Sequence, residues 1–131
     1  MSDARYKRKE KLMKLTQYEQ ERLMIFSIAE ISRRRWKRGL KLNYVEATAI
    51  ICDERLERAR DGRWSLSELM DVGSRIITEE DVMEGTVALL PCIDLEALFP
   101  DGNKLISIPD PIRLERRSEG IPFEELISMN Y

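Results

Sequence analysis

Apolar positions recur with helical spacing along the first part of the chain and switch to alternation near residue 93. Four capping signals punctuate the helical part. Each sets an N-cap oxygen three residues before an acid, so that two otherwise unpaired amides can be satisfied reciprocally at the positive end of a helix dipole. Thr16-x-x-Glu19 predicts a first helix running to about Arg38 and stopping at Gly39. Its apolar residues Leu23, Met24, Ile25, Phe26, Ile28, Ala29 and Ile31 cover more than one narrow stripe. A helix this apolar is expected to be buried on most sides or to pack against another chain. Asn43-x-x-Glu46 predicts a second helix, with Val45, Ala49, Cys52 and Leu56 on one face and a glycine stop at Asp61-Gly62. Ser65-x-x-Glu68 predicts a short third helix ending at Gly73. Thr78-x-x-Asp81 predicts a still shorter fourth, carrying Val82 and Met83 and ending near Gly85.

Ile93, Leu95, Ala97 and Phe99 then alternate with Asp94, Glu96 and Leu98, the pattern of a strand with one buried face. Pro100-Asp101-Gly102-Asn103 is a turn, Lys104 to Ile108 is the returning strand, and Pro109 and Pro111 stop regular pairing. The predicted fold class is α+β, about four helices followed by one C-terminal β-hairpin. A lone hairpin is marginal in water, so its apolar face must rest on the helices or join another chain. Residues 1–12 read as a basic N-terminal extension, residues 13–112 as the domain, and residues 113–131 as a charged C-terminal tail. Within that tail, Ile121 to Ile127 has the composition of a helical turn, with Pro122 near its start.

A length of 131 residues and a mass of 15.4 kDa fit one domain. With 35% charged and 43% hydrophobic residues, the composition is that of a globular chain. The longest stretch without a charge is Thr86 to Ile93, too short to span a membrane as a helix, which takes about 20 residues. The first residues lack the apolar stretch of a secretory leader, so a cytoplasmic location is expected.

Chemistry is excluded more than it is indicated. There is no histidine, which removes a His-based general base, a Ser-His-Asp triad and a His-liganded zinc site within this chain. Two distant cysteines, Cys52 and Cys92, are too few for a disulfide scaffold and read as reduced structural thiols. Glu79-Glu80-Asp81 and Glu124-Glu125 pair carboxylates, but the first set sits where a helix start favours acids, and nothing in either pattern implies burial. No glycine-rich phosphate loop and no loop of regularly spaced oxygen ligands is present. No catalytic, cofactor-binding or metal-binding residue is therefore assigned.

Charge is uneven along the chain. Residues 1–63 carry 17 Lys/Arg against 10 Asp/Glu, whereas residues 64–131 carry 5 against 14. Arg33-Arg34-Arg35-Trp36-Lys37-Arg38, with Lys41 nearby, has two readings. It fits a nucleic-acid-binding helical module with Trp36 free to stack. It equally fits the solvated C-terminal turns of a helix, where the dipole favours cations. The acidic second half opposes broad binding to a polyanion and favours the helix-end reading.

Several segments, taken in order, resemble a known family. Leu15-Thr16 is followed by Arg38-Gly39-Leu40-Lys41-Leu42-Asn43-Tyr44, then Glu46-Ala47, Ala59-Arg60-Asp61-Gly62 and Glu68-Leu69-Met70. Val82-Met83-Glu84-Gly85, Glu96-Ala97 and Phe99-Pro100-Asp101-Gly102-x-Lys104-Leu105 complete the series. From Met13 to Ile112 the chain resembles the gamma subunit of bacterial urease, the smallest chain of the nickel-dependent enzyme that hydrolyses urea. Three features depart from that family's usual pattern. Residues 1–12 precede the family's usual start near Met13. Ile108-Pro109-Asp110-Pro111-Ile112 replaces its Val-His and Asn/His-Pro-Ile ending, and residues 113–131 do not resemble a beta subunit.

The resemblance implies a non-catalytic structural subunit within a complex that converts urea to ammonia and carbamate. It also implies beta and alpha partner subunits, in a trimer of alpha-beta-gamma protomers, with nickel and the catalytic residues in alpha. The interface expected from the residues is the apolar excess of the first helix, the Leu40–Tyr44 connection and the outer hairpin face, specifically Phe26, Leu40, Leu42, Tyr44, Phe99 and Leu105. The altered ending and the two extensions keep a second reading open, a gamma-like paralogue in a different or inactive assembly.

Overall fold

In the computed structural model, residues 14–127 are described. Helix α1 spans Gln17–Lys37, α2 Tyr44–Asp61 and α3 Leu66–Gly73, followed by a short α4 at Thr86–Leu89. Strands β1 (Cys92–Phe99) and β2 (Gly102–Pro109) form an antiparallel hairpin, and α5 (Phe123–Ile127) closes the order. The fold is α+β, with the helices preceding one hairpin as the periodicity implies.

The first three capping boxes form as expected. Thr16, Asn43 and Ser65 each accept from the amide of the glutamate three residues on, and that glutamate accepts from the cap's own amide. Each such cap is worth about 1 kcal/mol. Gly62 ends α2 in the left-handed conformation, at φ 77°.

The fourth capping signal has a different outcome. Thr78 donates both its amide (2.8 Å) and its hydroxyl (2.7 Å) to Asp81 Oδ2, but the helix is one 3-10 turn, Glu79–Asp81. Val82 is extended because it pairs in parallel with Leu42: Leu42 donates to the Asp81 carbonyl and Met83 to the Leu42 carbonyl, each at 2.9 Å. A long-range backbone pair thus overrides the local signal. Gly85 does not end a helix there. It is the N-cap of α4, with φ at 86°.

Helix α2 lies at the centre, with α1 on one side and the hairpin on the other. Ile50, Ile51, Leu56 and Ala59 of α2 meet Ile93, Leu95, Ala97 and Phe99 of β1 and Ile106 and Ile108 of β2 in one core. The register pairs Phe99 with Gly102 and Cys92 with Pro109. Gly73 of α3 is placed where a Cβ would collide with the Ile108 side chain and crowd Arg55, so glycine is required there for close approach.

The segment following β2 folds back on the helices. Glu79 and Glu80 donate to the Leu114 and Glu115 carbonyls at 2.9 and 3.1 Å. Leu126 is buried, and Phe123 meets Trp36 edge-on with ring centroids 4.8 Å apart. The rest of the predicted tail, from Ser128, and residues 1–13 lie outside the described residues.

Candidate subunit interface

The seam between α1 and α2 is charged and buried. Helical spacing turns Arg22, Ala29, Arg33 and Trp36 of α1 towards α2, where Asp53 and Glu54 await. Arg33 donates from one nitrogen to both Asp53 Oδ2 and Glu54 Oε2, each at 2.7 Å. Arg22 pairs with Asp53 at 2.8 Å and with Glu57 at 2.6 Å. Arg58 closes on Glu54 at 2.6 Å. Burial disfavours the Arg22 charge, but its bonds to Asp53 and Glu57 outweigh that, and its pKa lies above the usual arginine value.

This arrangement settles the basic run. Arg33 is buried, Arg34 pairs with Glu30 at 3.1 Å, and Arg35 pairs with Glu46 at 2.7 Å. Trp36 is buried beneath Phe123, with the Arg117 guanidinium 5.4 Å from its ring. Trp36 is therefore not free to stack on bases and Arg33 is not at the surface, whereas Arg34, Lys37, Arg38 and Lys41 remain exposed. Arg117 also pairs with Asp81 at 2.8 Å and donates to the carbonyls of Ile76 and Ile121.

Sequence reasoning missed this network. Its signal was the position of Asp53 and Glu54, one helical turn beyond Ala49 and Ile50 and therefore on the face that the apolar period marks as buried. Arg55 was missed for the same reason. It is completely buried, and none of its three guanidinium nitrogens finds a hydrogen-bond acceptor among the described residues. Burial pushes its pKa down to about 10, with proximity to Cys52 opposing the shift, so it remains cationic at neutral pH.

The six residues named for the interface divide into two sets. Leu42 and Phe99 are buried in the chain's own core. Phe26 is half-buried, while Leu40, Tyr44 and Leu105 are exposed. Leu105 is 67% accessible on the outer hairpin face, diagonally across from the exposed Leu98. Further apolar surface comes from Leu23, Met24, Ile28 and Ile31 on the outer side of α1. Among the described residues there is no cluster of three or more His, Cys, Asp or Glu able to hold a metal ion, and no helix long and apolar enough to cross a membrane.

A central helix flanked by α1 and a hairpin, with several exposed apolar side chains, defines a small α+β chain. The family model described as "Urease, gamma subunit" matches residues 13–112. The chain belongs to the urease gamma subunit family, and so to the subunits of a multi-chain urease complex.

Proposed function

We propose that this chain is a non-catalytic structural subunit of urease, supporting assembly of the nickel-dependent complex that hydrolyses urea to ammonia and carbamate. The observation that carries the proposal is the family match across residues 13–112. Its partners are the urease beta and alpha subunits, in a trimer of alpha-beta-gamma protomers in the cytoplasm. Nickel resides in the alpha subunit, where a metal of this kind polarises the substrate and supplies hydroxide at neutral pH. This chain's own residues bind and orient neighbouring subunits. Leu40, Tyr44, Leu105 and the half-buried Phe26 offer apolar surface to them. Leu42 and Phe99 act from beneath, holding the Leu40–Tyr44 connection and the hairpin in shape.

Deletion tests this reading. The alpha and beta chains with their nickel-insertion proteins should lose most ammonia release when this chain is withheld, and the chain alone should release none. Full activity without it would sink the proposal. A second reading, a gamma-like paralogue in a different assembly, is favoured by one observation: residues 114–127 continue past the matched segment and cover Trp36. A stoichiometric complex without urea hydrolysis would support it.

A further inference from the structure

Residues 113–127 lie beyond the segment that matches the family, yet one of their side chains bonds them into the fold. Arg117 Nη1 donates to the Ile76 carbonyl at 2.7 Å and to Asp81 Oδ2 at 2.8 Å, and Nη2 donates to the Ile121 carbonyl at 2.6 Å. Its backbone amide donates to Glu80 Oε1 at 3.2 Å, and its guanidinium lies over the Trp36 ring. One arginine thus ties the segment to the end of α1 and to the Glu79–Asp81 turn. Gly120 permits this close approach. A Cβ there would stand 2.5 Å from Arg117 Nη2 and 2.6 Å from the Arg75 carbonyl oxygen.

The turn that Arg117 grips also holds the Leu40–Tyr44 connection. Asp81 is buried, and its Oδ2 accepts from the Thr78 amide, the Thr78 hydroxyl and Arg117 together. On one side of the turn, the Asp81 carbonyl accepts from the Leu42 amide, the Leu42 carbonyl from the Met83 amide, and the Glu80 carbonyl from Lys41 Nζ. On the other, the Glu79 and Glu80 amides donate to the Leu114 and Glu115 carbonyls. Arg117 and Phe123 line one cleft of about 340 Å³ with Leu40 and Lys41. Without Arg117, the Asp81 carboxylate would keep Thr78 alone as a partner among the described residues. A buried charge left in that state drives the turn to open.

We propose that Arg117 is a positioning residue: through Asp81, it makes the docking of residues 113–127 set the conformation of the Leu40–Tyr44 connection. The exposed Leu40 and Tyr44 are then held in one arrangement before a partner arrives, which removes an ordering cost from assembly. That consequence for assembly rests on the urease reading; the coupling inside the chain does not.

Amide exchange in the full chain tests the coupling. Arg117→Met should speed exchange at Leu42 and Met83 by about tenfold or more, because losing a charge-assisted bond eases local opening. The amides of Ile50 and Ile51 in α2 should be unchanged. Gly120→Ala should act on Leu42 and Met83 in the same way with the whole network retained, because the added methyl displaces the segment, and it decides the matter if Arg117→Met does not fold. Phe123→Ala frees only the end of the segment and should leave Leu42 and Met83 protected. Unchanged exchange at Leu42 and Met83 in Arg117→Met and Gly120→Ala would overturn the proposal. So would a uniform rise that includes Ile50 and Ile51, which is what a general loss of stability brings. In co-expression with the urease alpha and beta chains, the tagged Arg117→Met chain should recover less of both than the unaltered chain does. Equal recovery would overturn the role in assembly. An unaltered chain that recovers neither would sink the urease reading, and exchange would still decide the coupling.

Discussion

Arg33 Nη2 lies 2.7 Å from Asp53 Oδ2, and both side chains are almost fully withdrawn from solvent. Two ions are therefore buried between the helices that carry most of the core. Asp53 also pairs with Arg22, and Arg33 also pairs with Glu54, so removing Asp53 takes an acceptor from two buried or half-buried arginines at once, which costs more than the pair contributes.

Asp53→Leu should destabilise the chain by about 3–5 kcal/mol, because Arg22 and Arg33 both lose an acceptor. The midpoint of urea unfolding should fall accordingly. Adding Arg33→Met in the same chain should recover part of the loss. A double variant as unstable as Asp53→Leu would contradict the account.

Arg55 makes the opposite prediction. Its guanidinium is buried without a hydrogen-bond acceptor among the described residues, so Arg55→Met should raise the melting temperature, a gain of about 1–4 kcal/mol. A marked fall in melting temperature would mean that the cation is compensated.

The two thiols should differ sharply. Burial pushes the Cys52 pKa up to about 11, and its side chain is enclosed, whereas Cys92 is exposed. At mildly alkaline pH a thiol reagent should titrate one group quickly, and the second only on unfolding. Two fast groups in the folded chain would contradict the packing around α2.

The capping glutamates set an acid dependence. Glu19 and Glu68 have pKa values below the usual 4.5 because they accept hydrogen bonds from Thr16 and Ser65. A depressed carboxylate pKa gives stability that is present above the unfolded value and lost as pH falls through the folded one. The first turns of α1 and α3 should therefore lose amide-exchange protection as pH drops through and below the ordinary glutamate range. Glu19→Gln should abolish that dependence in α1 alone. Unchanged pH dependence at α1 in this variant would count against the cap as its source.

Phe123→Ala should uncover Trp36 and shift its fluorescence to the red, with a loss of about 1–3 kcal/mol, less than for a fully buried phenylalanine. A Trp64→Phe background isolates the signal. No red shift would mean that α5 does not cover Trp36.

Much of this fold was legible because its information is local. Thr16, Asn43 and Ser65 each announce a helix start through a side chain three residues from its partner, and Ile93 to Phe99 alternate as the hairpin does. What escaped the sequence was long-range. Val82 is held extended by Leu42, forty residues before it, so the Thr78 cap yields one turn and not a helix. The Arg33–Asp53 pair links two helices, and a charged run reads as solvated until its buried partner is located. The interface residues divide for the same reason: Leu42 and Leu105 look alike in sequence, but one lies under the Val82 bridge and the other on the outer hairpin face.

The most direct test of the central claim is the mass of the complex recovered on the tagged chain, co-expressed with the urease alpha and beta chains of the same genome and their nickel-insertion proteins. The account predicts equal amounts of the three chains in one nickel-dependent, urea-hydrolysing particle. Recovery of the tagged chain without alpha or beta, under conditions where all three are produced, would contradict it.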